Sequence, residues 1–339
     1  MRKSMIGPLN AVFLIAVMLV SSVAHAQSRW SDAAPLPSPR QEIYAITYNG
    51  MIYTAGGIAD GASAVRNEFN AFDPRKDLWL ELSDLPAPRH HITLSALDGA
   101  IYAVGGFSGG FPNWKPETSA YAYDLEAGEW NTLPALPVAR GEHVSVTAAG
   151  KIYVIGGRVG ETPNAAHYKD HRDTSRVDVF DPNSQTWSRG NDAPTARNSA
   201  ASVVIGDKIY VVGGRQYLEQ PNGDAANVNV ASLEVFNTQT GLWSRKAPMP
   251  KAAGGIAATA LDGKLYVFGG EQWTPTKEVF ANGWVYDPSA DAWESLPDMK
   301  TPRHGAAAGA IAGRIFVFGG ATETGAGNVA VNEVLAVQP

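Results

Sequence analysis

Arginine recurs at Arg40, Arg89, Arg140, Arg197 and Arg303, each ten residues after a tryptophan, and histidines crowd behind it as His90, His91, His143 and His304. Arg158 and Arg215 each follow a glycine pair, and Glu42, Glu142 and Glu271 lie in the same stretches. A guanidinium is a planar fork of donors that matches a carboxylate or other oxyanion, so several converging arginines would make an anion site. Glutamate beside histidine, as in Glu142-His143, has the make-up of a general acid–base group. His167 and His171, with Asp170 and Asp173, are ligand types for a metal, but without helical placement their four-residue spacing carries little weight. That stretch shows no helical pattern, and neither a metal nor any other cofactor is assigned to the chain.

Several chemistries are excluded. The run Gly105-Gly106-Phe107-Ser108-Gly109-Gly110 lacks the Lys-Ser/Thr and helix start of a phosphate cradle, and no Gly-x-Ser-x-Gly elbow occurs. The formal charge is −6, becoming −8 without Arg2 and Lys3, which argues against nucleic acid because a phosphate footprint needs surplus Lys and Arg. There is no cysteine, hence no disulfide. Residues Met1 to Ala26 read as a cleaved secretory signal: basic start, apolar run Ala11 to Val20, then Ala24-His25-Ala26. The expected mature chain, 27–339, is a single domain in the periplasm or outside the cell, with no membrane segment after signal cleavage.

The elements that must position these residues are written as a repeat. Glycine pairs close an apolar run six times, at Gly56, Gly105, Gly156, Gly213, Gly269 and Gly319, each with its following glycine. Three positions before each stands Tyr53, Tyr102, Tyr153, Tyr210, Tyr266 or Phe316. Trp30, Trp79, Trp130, Trp187, Trp243 and Trp293 precede the arginine column by ten residues, and that column is broken only by Ala253. Only the segment after each glycine pair varies in length. A fixed frame with one variable segment is how stacked identical units look in sequence.

Each unit reads as four short strands: a small-residue strand, a hairpin turn such as Asp98-Gly99, a β-branched strand ending at the glycines, a third ending near Asp-Pro, and a fourth carrying the tryptophan. Six such sheets make a propeller. The Gly-Gly, the preceding tyrosine and the downstream tryptophan resemble the kelch-repeat family over essentially all of 27–339. The expected fold is therefore all-β, a six-bladed kelch-type β-propeller. Its last blade lacks a fourth strand of its own, so the strand near Trp30 should complete it and close the ring. The six repeat tryptophans are assigned to the core.

Strand parity puts the variable loops and the Trp-to-Arg loops on one face, which therefore holds the six histidines outside the signal, Arg158, Arg215 and the three glutamates. Trp114 and Trp273, in variable loops, offer aromatic faces for a sugar or peptide, or anchors for their own loops. The candidate ligand set is Arg40, Arg89, Arg140, Arg158, Arg197, Arg215, Arg303, His90, His143 and Glu142. The alternative for the repeat arginines is structural, bonding loop carbonyls between blades. Two functions stay open. One is a monomeric binding propeller for a small anionic ligand, a glycan or a protein loop. The other follows from a distant similarity among secreted bacterial kelch proteins to the N-acetylneuraminate epimerase (sialic acid mutarotase) family. That similarity implies ring opening of an acidic sugar, but no residue is carried over from it. The chemistry asks for an acid–base group, for which Glu142 or His143 is available, and a holder for the carboxylate, for which the arginines are. Galactose oxidase is also built on kelch repeats, but its copper radical needs a cysteine that this chain lacks.

Overall fold

The computed structural model describes residues 30–219 and 225–337. The signal assigned to residues 1–26 and the chain end at Pro339 lie outside them. Blade one is built from Ala45–Tyr48, Met51–Ala55, Phe69–Asp73 and Leu78–Leu82, antiparallel in that order from the axis outward. Blades two to five repeat this order, starting with innermost strands Thr93–Leu97, Val144–Ala148, Ala201–Ile205 and Ala257–Leu261. Blade six takes Ala307–Ile311, Arg314–Phe318 and Asn332–Ala336 from one end of the chain and Trp30–Asp32 from the other. Trp30 pairs with Leu335 and Asp32 with Glu333, the strand exchange expected for closure. Each innermost strand packs on the next, and that of blade six packs on that of blade one.

Alternation with period two makes each blade apolar on both faces. In blade three Ile152 and Val154 face blade two, while Tyr153 and Ile155 face blade four. The core is accordingly six separate apolar layers, one between each pair of neighbouring blades. Two rings of hydrogen bonds tie the blades across these layers. Each repeat tryptophan donates its indole Nε1 to a carbonyl four residues past the tryptophan of the preceding blade. These bonds run from Trp79 to Ala34 (2.9 Å) round to Trp30 with Pro297 (3.0 Å). Those tryptophans are half-buried on the outer strand rather than enclosed in the core.

The second ring explains the glycine pairs. The N–H of the second glycine donates to the carbonyl at the repeat arginine position of the next blade, from Gly57 with Arg89 (2.8 Å) to Gly320 with Arg40 (2.9 Å). Both glycines hold positive φ, and a Cβ on Gly56 would stand 2.2 Å from the Arg89 carbonyl oxygen. Only glycine permits that approach. The variable segments are not plain loops: each opens with a two-stranded ribbon standing on the upper face, such as Arg158–Gly160 with His171–Asp173 and Arg215–Glu219 with Ala225–Asn229.

Candidate functional site

Two places in the repeat project side chains into the mouth of the axial channel. One lies two residues past the arginine column, where Glu42, His91, Glu142, Ser199, Gly255 and Gly305 all hold φ between 49° and 66°. Their backbones bond to one another around the axis, for example His91 N–H to Glu42 O (3.1 Å) and Ser199 N–H to Glu142 O (3.1 Å). The other is the residue after each glycine pair, bridged to the residue after the repeat arginine, as Arg158 is to Gly141 and Arg215 to Asn198. Above this ring lies a cavity of about 380 Å³.

Seven of its ionisable groups form one chain of donors and acceptors in alternation. Arg158 Nε stands 3.7 Å from Glu142 Oε2, and Glu142 Oε1 stands 3.5 Å from His91 Nε2. His91 Nε2 is 2.9 Å from Glu42 Oε2, and Glu42 Oε1 is 3.5 Å from His304 Nδ1. His304 Nε2 lies 3.4 Å from Glu271 Oε2, and Glu271 Oε1 accepts from Arg215 Nη2 at 2.5 Å. The chain thus begins and ends on an arginine, in the neighbouring blades three and four.

Hydrogen bookkeeping sets the donors within it. His90 Nε2 faces the Gly109 carbonyl at 3.1 Å and must donate, because a carbonyl only accepts. Burial, with the charge of His91 adding to it, pushes His90 well below the usual histidine range, so the ring is neutral and its Nδ1 accepts. His91 Nδ1, 2.6 Å away, is then the donor, and His91 Nε2 donates toward the two carboxylates. Burial disfavours an ionised Glu42, yet His91 and His304 together hold it well below the usual carboxylate range. His304 is raised: burial opposes its charge, but Glu42 and Glu271 outweigh burial.

The cavity keeps unmet valences. Arg158 Nε, Arg215 Nε, Trp114 Nε1, Glu142 Oε2 and Glu271 Oε2 are buried without a hydrogen-bond partner among the described residues. Phe111, Trp114 and Tyr168 form an apolar wall contributed by blades two and three, stitched by Tyr168 N–H to Pro112 O (3.0 Å) and by Arg158 Nη2 to Tyr168 O (2.7 Å). Opposite stands Trp273, whose Nε1 donates to Glu271 Oε1 at 3.0 Å. Asp173, beside Arg158 on the ribbon, is turned instead to Asn198 Nδ2 (2.7 Å) and the Tyr217 N–H (2.5 Å).

The expected ring of repeat arginines at the mouth does not form. Arg40, Arg89, Arg140, Arg197 and Arg303 are buried inside their own blades and line no part of the cavity. Arg40 bonds Asn70 (2.5 Å), Arg140 bonds Asp178, Arg197 bonds Glu234, and Arg303 pairs with Glu333 at 3.0 Å. Each partner lies two residues before the third-strand aromatic or its equivalent. In blade two Arg89 reaches Ser119 Oγ (3.3 Å) instead. Burial pulls the Arg40 and Arg140 guanidinium groups down to about 10, leaving them charged at neutral pH. These five are thus held inside their blades, but by side chains and carbonyls of their own blade, such as Arg176 O, Ser232 O and Val331 O, rather than by the expected loop carbonyls between blades.

His143 is likewise withdrawn from the site. It is fully buried between blades two and three with Nε2 2.7 Å from Thr93 Oγ1, and burial, then the charge of Arg140, pushes it down to about 3. His90 backs His91 without lining the cavity. His167 caps a short turn, while His171 is buried flat against Phe107 at 5.3 Å, so the two rings do not converge. No group of three or more candidate metal ligands occurs among the described residues. Arg158, Arg215, Glu142, Glu42, Glu271, His91 and His304 do converge, with Trp114 and Trp273. Sequence reasoning passed over Tyr168, Asn198, Asn227 and Lys277, which also line the cavity. Of these, Tyr168 and Asn198 carry a legible signal, lying in the long loop of blade three and one residue past a repeat arginine.

Known proteins place this architecture. Residues 115–320 match the KLHDC2/KLHL20/DRC7 Kelch-repeats domain and residues 88–137 the Kelch motif. Kelch-like protein terF of Aspergillus terreus is 30% identical over 53% of this chain and 38% of its own length. Kelch-like protein 35 of Mus musculus is 27% identical over 53% of this chain and 27% of its own. The matched part thus spans well under half of these relatives. A solved structure titled "Structure of YjhT" superposes with a TM-score of 0.72 at 20% identity, covering 90% of this chain and 97% of that one, a likeness of fold. The chain belongs to the kelch-repeat family and is a six-bladed β-propeller of that type.

Proposed function

We propose that this protein is a binding propeller whose upper-face cavity takes a small anionic carbohydrate. The observation that carries the reading is the alternating chain that starts at Arg158 and stops at Arg215 on the next blade. A ligand carboxylate set between those two ends would be the acceptor that completes the circle. Unpartnered donors on both arginines and Trp114, beside unpartnered acceptors on Glu142 and Glu271, suit hydroxyl groups, which both give and accept hydrogen bonds. The Phe111–Trp114 wall suits the apolar face of a sugar. Kelch domains commonly bind protein partners, and an acidic glycan or acidic loop on a partner would present the same chemistry.

Calorimetry with uronic and sialic acids, their neutral counterparts and the Arg158→Ala and Arg215→Ala variants tests this. Each arginine removed should weaken binding of the acid at least tenfold, the worth of one charge-assisted hydrogen bond of about 1.5 kcal/mol or more. Equal affinity for neutral sugars, or unchanged binding in both variants, refutes it.

A second reading, mutarotation of an acidic sugar, is favoured by Glu142. One of its oxygens faces the His91 relay and the other, 3.7 Å from Arg158 Nε, accepts no hydrogen bond among the described residues, the arrangement of a group placed to shuttle a proton. His143 has no part in it. Anomer exchange followed by NMR, abolished in Glu142→Gln, supports this reading, and no acceleration by the wild type with any sugar acid ends it. Export to the periplasm or beyond completes the proposal, with the mature 27–339 domain acting as a monomer. It is supported by the basic and apolar make-up of residues 1–26. Its check is N-terminal sequencing that finds Gln27 first and light scattering that gives the mass of one chain.

A further inference from the structure

Asn198 is tied to residues at both ends of the alternating chain. Its backbone exchanges hydrogen bonds with that of Arg215 (2.8 and 2.9 Å), and its side chain reaches Asp173, the residue paired with Arg158 across the blade-three ribbon. It is only 1% exposed, yet it lines the cavity. Hydrogen bookkeeping fixes which way its amide points. A carboxylate only accepts, so the atom 2.7 Å from Asp173 Oδ1 is the nitrogen. The other end of the amide agrees independently. Arg215 Nη1 can only donate, and does so to Ser199 Oγ at 3.2 Å, which leaves the single Ser199 proton for Asn198 Oδ1 at 2.9 Å. Asp173 is held in turn, because its second oxygen accepts from the Tyr217 N–H at 2.5 Å. An amide nitrogen carries two protons, and the second one on Asn198 has no acceptor among the described residues.

We propose that Asn198 is a specificity-determining residue of the anion site: its second Nδ2 proton is the neutral donor to the ligand carboxylate, and Ser199 and Asp173 are the positioning residues that keep the amide turned that way. The proposal rests on reading the cavity as the seat of a carboxylate-bearing sugar. Arg158 Nε and Arg215 Nε are buried without a hydrogen-bond partner among the described residues, so Asn198 adds a third donor, bridging the two blades that carry them. A seat made of donors selects a carboxylate over the isosteric carboxamide, whose N–H groups would meet only N–H groups.

Side-chain amide NMR and calorimetry decide it. In the ligand-free protein, with the Asn198 amide assigned through Asn198→Ala, the two Nδ2 protons should resonate well apart, and Asp173→Asn should narrow that separation. An unchanged separation overturns the fixed amide. Acetate, and then glucuronate, should move the unbonded proton in wild type and leave it in place in Arg158→Ala. By calorimetry, wild type should prefer glucuronate to glucuronamide by at least about tenfold, a preference that Asn198→Ala narrows. Asn198→Ala should bind glucuronate about fivefold more weakly. Asn198→Asp, which sets a second carboxylate against both Asp173 and the ligand, should bind it at least about a hundredfold more weakly. Glucuronate that binds Asn198→Ala as it binds wild type, and leaves the wild-type amide unmoved, overturns the proposal while the carbohydrate reading stands. If wild type binds no sugar acid but acetate moves its Asn198 amide, the carbohydrate reading falls and the carboxylate seat is supported. An amide that no carboxylate moves overturns the proposal.

Discussion

Arg303→Ala should be among the most damaging single substitutions in the propeller, although it lies outside the cavity. The guanidinium is buried, 3.0 Å from Glu333 Oε2, with Nη1 donating to the Val331 carbonyl at 2.8 Å. Glu333 is fully buried and its carboxylate has no other ion-pair partner among the described residues. Removing the arginine strands that carboxylate in an apolar layer, which costs about 3–5 kcal/mol. At roughly 2 °C per kcal/mol for a chain of this size, the melting temperature should fall by about 6–10 °C. Blade five already contains the alternative solution: Ala253 replaces the arginine and Trp284 replaces the acid, both buried. Trp284 pairs with Val267 as Glu333 pairs with Val317. Arg303→Ala with Glu333→Trp should therefore recover to within about 2 kcal/mol of wild type, because an apolar replacement of a buried pair is often neutral. Guanidinium unfolding of the wild type, the two single variants and the double gives the coupling directly. A single-variant loss below 1 kcal/mol, or a double variant that loses the sum of the singles, would refute the reasoning.

Other outcomes follow from the same structure. Trp30→Ala removes the edge-on packing against Phe268 and the bond to Pro297, and should cost about 3 kcal/mol by loosening the closing strand. Leu242→Ala, at an exposed outer-strand site, should stay within about 0.5 kcal/mol as the control. His143 is held at about 3 when folded, below its unfolded value, so its contribution is complete above about pH 6.5 and drains away as pH falls toward 3. Each unit in that window costs at most about 1.4 kcal/mol, and His143→Gln should flatten the acid limb of stability against pH. His304 has the opposite sign. Its folded value is raised, so its contribution is present below about pH 6.5 and is lost as pH climbs through the raised value, a limb that His304→Gln should remove.

What the sequence discloses here depends on whether a residue acts through its backbone or its side chain. Gly56 and Trp79 recur because each answers a backbone demand that is the same in every blade, and Tyr53 because it fills the same apolar layer, so spacing alone gives blade number, strand order and the exchange of Trp30 into blade six. The arginine column recurs because each guanidinium meets a partner in its own blade, so that of the two roles its spacing leaves open, ligand site or structure, the packing accounts for the second. A corrective signal was present in the chain: Asp178, Glu234 and Glu333 stand where blade five, with Ala253, has Trp284, which is the signature of a pair. Phe111 and Tyr168 meet through a bond between loops of different blades, which no periodicity encodes. The cavity residues obey the converse rule. Glu42, His91, Glu142, Ser199, Gly255 and Gly305 share one backbone conformation yet carry four residue types. At Gly305 packing decides, because a Cβ there would stand 2.9 Å from the Glu42 side chain, whereas Glu42, His91 and Glu142 line the cavity and bond to one another, so their choice answers the chemistry of that network rather than the repeat.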